Sequence, residues 1–238
     1  MVLFGEVVTS DGREWLSCTY QNSDLRSNNM HFAYPPFRGT RSECFRAINA
    51  DHQIVPAEGL DLALIIQGML NSRTPRWQAL RDSSFLKYIF APVNFIFMPP
   101  SSELSGVVVE RDLQGQWTGR REAININLSD WRKNKHGLYV SPDQARTFVP
   151  YSRYSGKLQD HRLLVTILGE EGAEIFARTI KDARMETSIH DSLITADCLT
   201  EPERMGLFFD YNDGGLFLVG NIGLDLVGYA FGKRRIAE

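Results

Sequence analysis

The segment Arg162–Lys181 constrains the fold more than any other stretch of the chain. It opens on an apolar, partly β-branched run, Leu163-Leu164-Val165-Thr166-Ile167-Leu168, and reaches Gly169. There the period changes. Ala173, Phe176, Ala177 and Ile180 recur at i, i+3, i+4 and i+7, a single stripe of a 3.6-residue repeat. Glu170, Glu171 and Glu174 fill the first turn, and Arg178, Lys181 and Arg184 the last, matching the helix dipole. The pattern predicts a strand over 162–168 feeding a helix over 170–183.

The rest of the chain segregates its elements. Leu3–Thr9 and Glu14–Tyr20 flank Asp11-Gly12 as a hairpin, and Gln21–Asn29 reads as a loop. Pro35 and Pro36 argue against a central strand through His31–Gly39. Two helices are predicted between Pro56 and Phe90, one on the face Leu60, Ala63, Leu64, Met69 and Leu70. The other follows Thr74-Pro75 and carries Trp77, Leu80, Phe85, Leu86 and Ile89. Strands follow at Val93–Met98 and at Gly106–Asp112, the latter paired with Gln116–Thr118. The clearest hairpin joins Gly206–Tyr211 to Leu216–Gly220 through Asn212-Asp213-Gly214-Gly215, and Val227–Phe231 adds an edge strand. This order implies an α+β fold with a mainly antiparallel sheet, two helices in the first half and one near 170–183. The chain reads as a single domain over 1–238, with a potential internal boundary near 99–104 at Pro99-Pro100-Ser101-Ser102.

At 238 residues and 43% hydrophobic, the chain can bury a core without disulfides or metals. Cys18, Cys44 and Cys198 form no CxxC or Cys/His cluster, which indicates reduced thiols and a cytoplasmic setting, with no metal site. Met1–Glu6 lacks the charge and apolar core of a signal peptide. The apolar runs 60–70 and 88–100 are interrupted and fall short of the roughly 20 residues of a membrane span.

The net charge of −3 is unevenly spread. Residues 111–162 carry ten Lys/Arg against five Asp/Glu, while 163–238 carry seven against thirteen. In the basic segment Arg120, Arg121, Arg132, Lys133 and Lys135 are interleaved with Trp117 and Trp131. Cations neutralise phosphates and flat rings stack on unpaired bases, so this mixture predicts a nucleic-acid-binding surface. Strands with solvated cations on one face and core aromatics on the other produce the same alternation.

A second grouping, His31 with Arg38, Arg41 and Glu43, supplies anion-binding guanidiniums and two proton carriers. It marks the candidate catalytic loop should the protein process nucleic acid. Its alternative is structural, a helix beginning near Ser42 with Glu43 in its capping turn and Phe45 and Ile48 buried. Gly169-Glu170-Glu171-Gly172 occupies a phosphate-loop position, yet its carboxylates would repel phosphate. The sequence names no cofactor and leaves catalysis open. It predicts a nucleic-acid-binding, potentially nucleic-acid-processing protein, the alternative being a protein-interaction or structural module whose partner is another protein.

Overall fold

Alternating burial along Leu16–Gln21 sends Leu16, Cys18 and Tyr20 into the core while Ser17 and Thr19 stay half-exposed, the period-2 signature of a strand, with Trp15 on the other face buried in a separate cluster. The computed structural model describes residues 2–9, 12–21, 26–82, 88–98, 104–114, 126–151, 156–188, 203–212, 215–221 and 226–235. In chain order its first elements are β1 (Val2–Val8), β2 (Glu14–Gln21), β3 (Ser27–Tyr34), β4 (Phe37–Thr40), α1 (Arg41–Ala50) and β5 (Ile54–Pro56). Then come α2 (Leu60–Asn71), α3 (Pro75–Asp82), β6 (Tyr88–Phe97), β7 (Gly106–Arg111), β8 (Arg132–Lys133), β9 (Tyr139–Val140) and β10 (Arg146–Pro150). The last are α4 (Arg162–Ala183), β11 (Glu186–Ser188), β12 (Glu203–Asn212), β13 (Gly215–Asn221), β14 (Val227–Ala230) and β15 (Gly232–Arg234).

The fold is α+β, as the sequence implies, with the strands in two sheets. The first is antiparallel throughout, in the order β1-β2-β3-β15-β5. The second runs β11-β13-β12-β6-β7-β10-β9-β8, with β14 joining β4 to β6. Two of its pairings are parallel, β11 with β13 and β14 with β6.

One core joins both sheets to the helices. Leu16 and Phe32 come from the first sheet, Phe95, Val107 and Phe209 from the second, Leu64 from α2 and Phe176 from α4. The Phe176 and Phe209 rings lie 6.0 Å apart. Each such fully buried side chain stabilises the fold by about 1.5–3 kcal/mol relative to exposure. Phe95 and Phe97 face this core while Ile96 and Met98 face a smaller one with Val108, Ile126 and Phe148, so β6 is covered on both sides. A third cluster packs Phe45 and Ile48 of α1 against Trp15, Ala33 and Ile54.

Several local expectations need correction. Residues 162–168 are helical, not a strand. Leu163, Leu164, Ile167 and Leu168 are buried in the main core, and the Thr166 hydroxyl returns its hydrogen bond to Arg162 O at 2.8 Å. The helix breaks at Gly169, whose φ of 74° suits glycine, and restarts with the acidic turn Glu170–Glu174. Burial overrides the β-branched preference here. His31–Tyr34 belongs to a strand flanked by β2 and β15, because the prolines fall just after its last residue. Ile89 lies in β6, and β7 pairs with β6 and β10. On β15, Lys233 Nζ donates to the buried Asp61 Oδ1 at 2.8 Å. Gln116–Thr118 and the 99–103 boundary lie outside the described residues.

Burial pushes the Cys18 and Cys44 thiols up to about 12. At pH 8 only about one in ten thousand would be thiolate. Iodoacetamide treatment of the native protein is therefore expected to leave both unmodified, and treatment in denaturant to label both. Mass-spectrometric mapping of native labelling at either cysteine would contradict this.

Candidate functional site

The residues singled out by sequence are dispersed. Glu43 closes a capping box: its Oε2 accepts from the Thr40 backbone N–H at 2.8 Å, and the Thr40 side chain accepts from Glu43 N. The Thr40 backbone N–H and then the Thr40 hydroxyl, both donating to Glu43 Oε2, hold its carboxyl below the usual carboxylate range. Arg41 is buried, with Nη1 donating to Asp112 Oδ2 at 2.8 Å and Nη2 to the carbonyls of Ala91 and Val93. Arg38 stands exposed on β4 opposite Tyr229. His31 lies in the first sheet between Ser17 and the β15 strand, where burial and then Arg234 lower its pKa. Helix capping and burial thus occupy Glu43 and Arg41, while His31 and Arg38 sit on different sheets.

Among the basic residues, Trp117, Arg120 and Arg121 lie outside the described residues. Lys135 pairs with Glu170 at 2.6 Å, Lys133 sits over the Tyr139 ring at 5.8 Å, and Trp131 packs on the Phe148 cluster. Arg132 is exposed on the two-residue β8. Elsewhere in the segment Arg146 is matched by Glu110 and Arg111 by Glu58. Among the described cations of the segment, Arg111, Lys135 and Arg146 are thus held in ion pairs within the fold.

The surface feature that stands out is the edge strand β1. It pairs with β2 on one side, and no described strand occupies the other. Thr9 N donates to Arg13 O at 2.9 Å, so that pair is a hydrogen-bonded one. Strict alternation then directs the N–H and C=O groups of Leu3, Gly5 and Val7 toward β2 and those of Phe4 and Glu6 toward the open edge.

Leu3, Val7 and Val8 are 55%, 37% and 59% exposed, three of the four large apolar side chains exposed among the described residues. Single exposed apolar groups are ordinary, but a concentration on an unpaired strand marks a contact surface. β1 also lacks the usual guards, with no Lys, Pro or bulge between Val2 and Val8. Its one charge, Glu6, is already engaged. The Arg76 backbone N–H donates to Glu6 Oε1 and its Nη1 to Glu6 Oε2, both at 2.6 Å. The same guanidinium donates to both oxygens of Glu14 on β2, at 3.0 and 2.6 Å. Phe4 meets Trp77 edge-on at 5.3 Å, and the Trp77 indole N–H donates to Gly5 O at 3.2 Å. Helix α3 therefore holds the edge extended.

This clasp carries a pH signature. Burial tends to raise the Glu6 pKa, yet the bonds from Arg76 outweigh it and the net shift is downward. At Glu14 the Arg76 hydrogen bonds lead the same downward shift. Their stabilisation is present above the ordinary value of 4.5 and is lost as pH falls through the depressed values. Arg76→Gln is expected to flatten the fall of melting temperature between pH 6 and pH 3. Equal slopes for variant and parent in thermal melts would refute the clasp.

No family model and no curated protein matches the chain. Among solved structures, a chain described as the accommodation of massive sequence variation in Nanoarchaeota by the C-type lectin fold is 17% identical, at a TM-score of 0.42. The alignment covers 84% of this chain and 99% of that one. The expectation of a nucleic-acid-binding surface is corrected: among the described residues of the basic segment, Arg111, Lys135 and Arg146 are each paired with a carboxylate of the fold, and Trp131 packs against the Phe148 cluster. No helix among the described residues is long and apolar enough to cross a membrane.

Proposed function

We propose that this protein is an interaction module that captures an extended polypeptide as an added strand along β1. The observation that carries the reading is the concentration of Leu3, Val7 and Val8 on a seven-residue strand whose outer edge meets no other described strand. Strand addition takes its affinity from main-chain hydrogen bonds and its selectivity from alternate side chains. Phe4 and Glu6 offer the main-chain groups, and Leu3 and Val7 the side chains. Because α3 and Arg76 already hold β1 extended, binding does not bear the entropy of ordering it.

The probe is a synthetic peptide of sequence VLFGEVV with lysine tails, against a control peptide with lysine at its second and sixth positions. Saturable binding of the first, with slowed hydrogen exchange at the Phe4 and Glu6 amides of the protein, is the expected result. Unchanged exchange at saturating peptide, with β1 open in the free protein, would reject the reading.

A further inference from the structure

We infer that the strand added to β1 is β1 of a second copy, paired antiparallel about a two-fold axis through Gly5, so that two five-stranded sheets become one of ten. This rests on the reading of β1 as a strand-accepting edge and names its partner.

The register follows from the order of side chains. Centred on Gly5, the pairing sets Leu3 opposite the partner's Val7, Val2 opposite the partner's Val8, and Phe4 opposite the partner's Glu6. Every exposed apolar side chain of the strand then meets another. The main-chain groups of Phe4 and Glu6 point outward, so Phe4 and the partner's Glu6 become a hydrogen-bonded pair. The Leu3–Val7 pairs fall at the non-hydrogen-bonded positions, where side chains approach most closely. The two Gly5 residues also meet at a close-approach position, and neither has a side chain to obstruct it.

Charge selects this register over its neighbours. Centring on Glu6 would set the two Glu6 carboxylates opposite each other, a like-charge contact that destabilises a strand pair. Centring on Phe4 would place Glu6 opposite Val2 and leave Leu3 facing Gly5. In the Gly5 register each Glu6 keeps its own Arg76, so no unmatched charge is brought to the junction.

The pairing of position 3 with position 7 of the partner gives a charge-swap test that does not touch the core, since both side chains are exposed. Sedimentation velocity across a concentration series is expected to show the parent chain moving toward twice its 27.0 kDa mass. Leu3→Lys/Val7→Lys sets like charges opposite each other twice and should weaken the dimer by about tenfold or more. Leu3→Lys/Val7→Glu sets opposite charges in the same places and should recover most of that loss. Within one chain, positions 3 and 7 lie about 13 Å apart along the strand, so the recovery is intermolecular.

A parent chain that stays monomeric yet binds the VLFGEVV peptide would overturn the inference and leave the module reading standing. A dimer untouched by the Lys/Lys variant, or one the Lys/Glu variant fails to restore, would overturn the inference as well. A monomer that binds no peptide would overturn both.

Discussion

Asp112→Ala is expected to lower the unfolding free energy by about 3–5 kcal/mol, the range for removing one partner of a buried ion pair. Arg41 is buried at the start of α1, and its guanidinium reaches across to Asp112, just beyond β7, and to the carbonyls of Ala91 and Val93 on β6. Asn94 Nδ2 donates to the same Asp112 oxygen at 3.2 Å. Burial lowers the Arg41 pKa while Asp112 opposes that shift, so the charge depends on its carboxylate. Without Asp112 the cation remains buried beside two carbonyls, which is too little to replace its solvation. The double variant Arg41→Met/Asp112→Leu removes both charges, fills similar volume, and should lose far less than either single change. Urea melts decide the matter. A single-variant loss below about 1 kcal/mol, or a double variant no better than the singles, would show that the pair contributes little.

The same residue shows what the sequence could and could not reveal. Arg41 beside Glu43 and His31 has the composition of a catalytic loop, and nothing local distinguishes that from a capped helix with an inward-facing arginine. Its partner Asp112 is 71 residues away, so the pairing was invisible to any local reading. The hairpins were legible because turn chemistry and alternation act within a few residues: β1 with β2, and β12 with β13 across Asn212↔Gly215. Arg162–Leu168 was not legible, since a β-branched apolar run suits strand and buried helix equally and only the core decides. Nor was the edge position of β1. Its pattern is that of any half-buried strand, and whether a neighbour lies beyond it depends on β15, from the far end of the chain, inserting beside β3 rather than there.

Gly68→Val is expected to cost about 3 kcal/mol and to loosen β1 along with the core. Gly68 sits inside α2, where valine would ordinarily suit a helix slightly better than glycine. Space decides against it. A Cβ at Gly68 would fall 2.6–2.8 Å from three carbons of the Trp77 ring. Trp77 has little freedom to retreat: it is fully buried, packed edge-on by Phe4, and bonded through its indole N–H to Gly5 O. Any shift that makes room withdraws the support of the strand edge, so exchange at the β1 amides should quicken and strand addition should weaken together. Trp77→Phe removes the outer ring that the new methyls would strike. The combined Gly68→Val/Trp77→Phe variant should therefore lose clearly less stability than the two single losses added, a coupling that a double-mutant cycle measures. Strict additivity would place the strain elsewhere and break the proposed line of support from α2 through α3 to β1.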